Sequence, residues 1–118
     1  MQRLNKSAGS ICHMDIQQPE RHFQLRYRMM LYLYDMFKEH PYSPVDVRQL
    51  EEGCETNPAE MNWNLVYLEK CEYIELGKSV AFPPYVTAMV TLTVKGIDLV
   101  EDPEALRKRF QISDEIIQ

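Results

Sequence analysis

The stretch Asn57-Pro58-Ala59-Glu60-Met61-Asn62-Trp63-Asn64-Leu65-Val66-Tyr67-Leu68-Glu69-Lys70-Cys71, continued by Glu72-Tyr73-Ile74-Glu75-Leu76, decides how this chain is read. Asn57 is a good N-cap, Pro58 suits the first helical position, and Glu60 stands where a carboxylate can reach back to the cap. A helix is therefore predicted from Pro58 to about Cys71. Placing Met61, Leu65 and Leu68 on the core sends Ala59, Trp63, Val66, Tyr67 and Lys70 outward, with Asn62 and Glu60 on the flanks. Tyr73 to Leu76 then reads as a short strand.

Working upstream, Ser43-Pro44 repeats the cap-then-proline signal. It predicts a helix to Glu52, with Val45, Val47 and Leu50 as its apolar positions and Gly53 as its stop. The two helices are separated by helix-turn-helix spacing. Before them, almost no turn residue interrupts the chain from Glu20 to His40-Pro41, and Phe23, Tyr27, Met30, Tyr34 and Phe37 repeat along one helical face. That is a long first helix. Leu25, Met29, Leu33 and Met36 form a second stripe pointing away from the first. Either the tail or the C-terminal helix covers this stripe or a second copy of the chain does, and the homodimer reading takes these four residues as its interface.

Downstream, Gly77 to Tyr85 reads as a loop with a Pro83-Pro84 pair. Val86 to Leu92 alternates as a second strand, making a hairpin with the first. Thr93 can cap a helix from Val94 to Glu101, and Asp102-Pro103 restarts one through Ala105, Leu106 and Phe110. The expected organisation is a flexible N-terminal tail over 1–19, one domain over 20–110 and a C-terminal tail over 111–118.

Composition agrees with a single soluble domain: 118 residues, 45% hydrophobic, 26% charged and only 4 Gly. No apolar run approaches the roughly 18 residues of a membrane span. Cys12, Cys54 and Cys71 form no C-x-x-C pair, and the polar start lacks the apolar core of a signal peptide, so reduced thiols and a cytoplasmic location are expected. A net charge of -5 opposes nucleic acid at long range unless basic side chains gather on one face.

Three helices, a hairpin and a returning helix follow the order of a winged helix-turn-helix domain, an α+β fold that is mostly α. Leu65-Val66-Tyr67-Leu68-Glu69-Lys70-Cys71-Glu72-Tyr73-Ile74-Glu75 resembles the L-x-x-L-E-x-x-G-Y-I-E passage by which many bacterial winged-helix regulators leave the recognition helix. Leu92-Thr93-Val94-Lys95-Gly96 resembles their L-T-x-K-G passage out of the wing. The resemblance covers roughly Phe23 to Phe110 and takes in MarR-like and PadR-like repressors and small phage or bacterial wing proteins. It implies a DNA-binding transcriptional regulator, although winged helices also serve as protein-interaction modules. One departure stands out: Glu72 occupies the position these families give to Gly.

For double-stranded DNA, the candidate contacts are Asn62 for base readout and Lys70, Lys78, Arg107, Lys108 and Arg109 for phosphates, with Arg21, Arg26, Arg28 and Lys38 on the first helix in reserve. A dimer would gather the basic helices into one surface. Against this, Pro44 to Cys71 holds Arg48 and Lys70 facing Asp46, Glu51, Glu52, Glu55, Glu60 and Glu69. The outward Trp63, Val66 and Tyr67, with the Phe82-Pro83-Pro84-Tyr85 tip, instead suit a protein partner. The regulator is placed first and the protein-interaction module second. No catalytic constellation, metal-ligand spacing or phosphate loop is visible, so neither an enzyme nor a cofactor is expected.

Overall fold

The computed structural model describes residues 19–41, 43–77 and 82–113; residues 1–18 of the expected 1–19 tail, Lys78 and positions 114–118 lie outside the described residues, and Pro19 already belongs to the first helix. In chain order come α1 (Pro19–Glu39), β1 (Val45–Asp46), α2 (Val47–Cys54), α3 (Pro58–Lys70), β2 (Ile74–Leu76), β3 (Met89–Leu92), α4 (Val94–Val100) and α5 (Pro103–Arg109).

The start of α3 follows from its first residues. Asn57 is extended, and its side-chain oxygen accepts the Glu60 N–H at 3.0 Å, with Pro58 next in line. Glu60 does not reach back to the cap. Its carboxylate accepts the Thr56 hydroxyl at 2.8 Å and pairs with Arg21 at 2.9 Å, tying the helix start to α1. At the other end, Glu72 adopts φ 70°. The Tyr73 N–H reaches Leu68 O and the Glu72 N–H reaches Glu69 O, the paired bonds of a Schellman turn. The same turn closes α2 at Glu55 and α5 at Gln111, with φ 55° and 57°. None of the three is glycine, and each bears a cost of roughly 1 kcal/mol for a left-handed side-chain-bearing residue.

The second helix starts later than the Ser43-Pro44 signal suggests. Val45-Asp46 is instead a short strand, and Asp46 is the cap, its carboxylate accepting the Arg48 N–H at 2.7 Å. Pro44 suits the approach to an edge strand because it has no ladder donor to waste. Gly53 is not the stop, since α2 runs on to Cys54. A Cβ at Gly53 would fall 2.3 Å from the Tyr32 ring, so the glycine serves the close approach of α1 to α2.

The added strand widens the two-stranded wing into a three-stranded antiparallel sheet, ordered β1-β3-β2. Val45 pairs with Val90, and Ile74 with Leu92. Regular alternation in β3 begins only at Met89, because Thr87 turns inward. Its hydroxyl donates to Gly77 O at 2.7 Å and receives the Met89 N–H at 3.4 Å. Thr93 caps α4, accepting the Gly96 N–H at 3.0 Å, and Asp102 caps α5 in the same way through Ala105. The folded unit extends past residue 110, since Ile112 is buried and its N–H bonds to Arg107 O.

The homodimer stripe is corrected by burial. Leu25, Met29 and Leu33 are core residues within the chain, joined by Met30 and packed with Leu50, Leu65 and Val90. Met36 is half-buried. The aromatic stripe is the outer one: Phe23, Tyr27, Tyr34 and Phe37 are half-buried, and the Tyr34 hydroxyl reaches out to Glu101 at 2.8 Å. Leu and Met have no polar atom that needs water, whereas tyrosine keeps its hydroxyl wet by lying at the edge.

Candidate functional site

α3 presents its core side through Met61, Leu65 and Leu68, which are fully buried. The opposite side carries Ala59, Trp63, Val66 and Lys70, all exposed. Trp63 is 53% exposed and Val66 38%. Val86, just past the wing tip and 49% exposed, adjoins this surface because its N–H is held by Asn62, one turn before Val66. One edge of the Trp63 ring leans on the buried His22, with ring centroids 4.6 Å apart.

On its wing side, α3 holds the tip of the hairpin. The Asn62 amide donates to Pro84 O at 2.8 Å while its oxygen accepts the Val86 N–H at 2.8 Å, so both ends are occupied. Asn62 is therefore a clamp on the wing backbone rather than an amide offered to an adenine edge. The tip also leans on α2: the Tyr85 hydroxyl donates to Glu51, and the Arg48 guanidinium sits 5.2 Å from the Phe82 ring centroid. Phe82 and Tyr85 stack on each other and are half-buried, while Pro83 and Pro84 remain exposed.

On its α1 side, Glu60, Asn64, Tyr67 and Cys71 recur at helical spacing and make a polar seam. Arg21 pairs with Glu60. Asn64 is completely buried. Its oxygen accepts the Arg26 Nε–H at 2.6 Å, and its amide donates to Glu60 O at 2.9 Å and faces His22 Nδ1 at 3.3 Å. This arrangement makes His22 Nδ1 an acceptor, so the proton sits on Nε2, which is buried with no partner among the described residues. Tyr67, expected outward, is half-buried between two arginines. The Arg26 guanidinium lies 3.7 Å over its ring, and Arg109 donates to its hydroxyl at 3.0 Å.

Arg109 also donates to the Tyr73 hydroxyl at 3.1 Å and to Cys71 Sγ at 3.2 Å. Of the basic trio, then, Arg109 turns inward, Arg107 is half-buried and engaged, and Lys108 is exposed. Arg28 donates to Cys54 O at 3.2 Å and Lys38 lies 3.6 Å from Asp35. The arginines expected to meet phosphates are largely committed to the fold.

An open depression of about 700 Å³ separates α2 from the tip and is lined by Asp46, Glu51, Glu52 and Glu55, with Arg48 as its one cation. Arg48 hydrogen-bonds and pairs with Asp46, 3.4 Å away, which holds that carboxyl below its ordinary range. Glu51, accepting from Tyr85, pushes the phenol above its usual value. Negative charge thus collects beside the N-terminal end of α3. Among the described residues no three His, Cys, Asp or Glu side chains gather to hold a metal ion. Nor is any helix there long and apolar enough to cross a membrane.

The seam partners were present in the sequence as the 60, 64, 67, 71 spacing. That spacing does not by itself point to a buried seam, because polar residues at helical intervals normally mark a solvated face.

The solved structure of NadR, a MarR-family winged-helix regulator, in complex with 4-hydroxyphenylacetate is similar to this chain. The TM-score is 0.52 at 20% identity, over 100% of this chain and 87% of that one. The chain has the winged-helix fold. No protein-family model matches it, and no curated protein matches it in sequence. Within that fold α2 and α3 are consecutive helices joined by a short turn, and β2 and β3 pair as the hairpin that follows them.

Proposed function

We propose that this chain is a regulatory winged-helix module that works by docking a protein on the outward face of α3, without catalysis. The observation that carries this reading is the composition of that face. Where a DNA reader needs donors and cations, it offers Trp63 and Val66, joined by Val86, with Lys70 as the exposed cation of the helix. A half-exposed tryptophan seated against a buried histidine is the kind of rigid aromatic anchor that dominates protein interfaces. The carboxylates beside the helix start oppose a phosphate backbone.

Binding of double-stranded DNA as a transcriptional regulator is the second reading, and the likeness to NadR favours it. Lys70 and Lys108 would then meet phosphates, with Arg107 at the edge. The homodimer that was to gather the basic helices loses its expected interface, because Leu25, Met29 and Leu33 are inside the chain.

Two measurements separate the readings. A mobility-shift titration with random duplex DNA at low and moderate salt is expected to show no retardation that survives moderate salt; retention there would favour the DNA regulator. A photo-crosslinking residue at Val66, introduced in cells that express the protein, is expected to give a discrete protein adduct that Trp63→Ala removes. Adducts indifferent to Trp63 would overturn the docking reading.

A further inference from the structure

The outward face of α3 lies beside the point where the chain enters α1. Pro19 opens that helix, and His22, about 4.5 Å further along its axis, holds its ring 4.6 Å from that of Trp63. Between them Arg21 pairs with Glu60 at 2.9 Å. Glu60 in turn accepts the hydroxyl of Thr56, which lines the acidic depression beside α2. The segment over residues 1–18 is therefore tethered next to Trp63, with the depression two contacts away. Its composition matches both surfaces. Ile11, Met14 and Ile16 stand near the tether, and Arg3 and Lys6 stand farther out, with no acid before Asp15. Opposite them, Trp63, Val66 and Val86 are exposed, and so are Glu52 and Glu55 at the depression. No cation pairs with Glu52 or Glu55 among the described residues.

We propose that residues 1–18 fold back over α3 as an intramolecular cover, with Ile11, Met14 and Ile16 on the Trp63–Val66–Val86 face and Arg3 and Lys6 over the acidic depression, so that a docking partner must displace them. The self-contact needs no partner; its regulatory use rests on the docking reading above. Reach is sufficient, because the stretch from Ile11 to Gln18 spans up to ~28 Å when extended, against a helix width of ~11 Å. A tether also makes a weak contact enough, since a short linker supplies an effective concentration of roughly millimolar. A competing partner then binds in proportion to the fraction of chains left open. Opposite charges beyond the apolar centre fix the direction in which the segment lies, and salt screens them.

The test reads Trp63, the sole tryptophan, by acrylamide quenching in the full chain. Replacing Ile11, Met14 and Ile16 together by Ser should raise the quenching constant about twofold or more, while the thermal midpoint of the domain stays in place. Glu52→Gln with Glu55→Gln removes the charge that Arg3 and Lys6 meet and should raise it as well, as should salt at about 0.5 M. In the purified chain, a photo-crosslinking residue at Val66 should join to a peptide from residues 1–18. Unchanged quenching in either variant would overturn the cover, as would a crosslink to any other part of the chain. Shielding that strengthens with protein concentration would also overturn it, assigning the face to a second copy. The docking reading fails separately: no adduct to another protein at Val66 in cells, in the parent or in the Ser variant, would remove the partner and leave the quenching result standing. An adduct that grows in the Ser variant supports displacement; equal adducts in both would show that the cover does not gate the partner.

Discussion

Removing the Asn62 amide by Asn62→Ala should free the wing tip while leaving the rest of the domain standing. The side chain makes two neutral hydrogen bonds of 2.8 Å to the backbone at Pro84 and Val86. Each contributes about 1 kcal/mol net. Both backbone groups lie on an exposed segment, so water takes them over once the amide is gone and no orphaned-group penalty is added. The tip should therefore lose about 1–2 kcal/mol, which raises the open population by a factor of about 5–30. Native-state hydrogen exchange reads this directly: the Val86 N–H should exchange faster by that factor. The Thr93 N–H, bonded to Tyr73 O at 3.0 Å on the far side of the sheet, should change much less. Asn62→Asp keeps the acceptor for Val86 but loses the donor to Pro84, and should fall between the two. Unchanged exchange at Val86, or equal acceleration at Thr93, would refute the clamp.

Three further outcomes follow from the same geometry. Glu72→Gly should raise the thermal midpoint, gaining about 0.5–1 kcal/mol, because φ 70° is free for glycine and the exposed Lys95 pair it removes contributes little; an unchanged or lower midpoint would contradict the strained turn. Gly96→Ala should cost about 1–3 kcal/mol by thermal melting, although alanine is the better helix former, since its Cβ would fall 2.3 Å from the Tyr73 carbonyl oxygen; a stabilised variant would show that the approach is looser. Burial pushes the Cys54 thiol up to about 11 from an ordinary value near 9, with Arg28 weakly opposing, so the folded chain keeps a proton that the unfolded chain releases. The thiol's contribution should be level below about pH 9 and fall between pH 9 and 11; Cys54→Ala should flatten that decline in urea titrations, and an identical decline in the variant would assign it elsewhere.

Local signals were legible in the sequence because they act within a few residues. The caps at Asn57, Thr93 and Asp102 sit where Asn-Pro, Leu-Thr and Asp-Pro placed them. Local signals also compete: Ser43-Pro44 looked like a helix start, but Asp46 offers a carboxylate to the Arg48 N–H and leaves Val45 free to pair with Val90. A two-residue strand lies below the reach of periodicity. On α1, spacing revealed two apolar stripes but not which was the core; that turns on tyrosine hydroxyls, which need a polar partner, against Leu and Met, which do not. The use of Asn62, Tyr67 and Arg109 was hidden for another reason. Their partners are Pro84, Arg26 and Tyr73, far along the chain, and only the docking of α1, the wing and α5 around α3 brings them together.

The passages that resemble winged-helix regulators turn out to be the joints of the fold, which explains why they identify it and are silent about the partner. Leu65 and Leu68 fill the core beneath α3, and the Glu69 carboxylate accepts the Leu76 N–H at 3.1 Å, fastening the helix to the strand that follows it. Tyr73 and Ile74 are buried at the turn. The Thr93 hydroxyl donates to Glu72 O at 2.7 Å while capping α4, and Gly96 lets that helix meet the Tyr73 carbonyl. Each of these residues therefore connects α3, β2, β3 and α4 to one another. The residues that meet the outside, Ala59, Trp63, Val66 and Lys70, occupy the other side of the same helix, and none is fixed by those joints. Two chains can share the first set, and with it the fold, while differing wholly in the second. What α3 binds must accordingly be argued from Trp63 and its neighbours, and there the chemistry is aromatic, aliphatic and nearly uncharged.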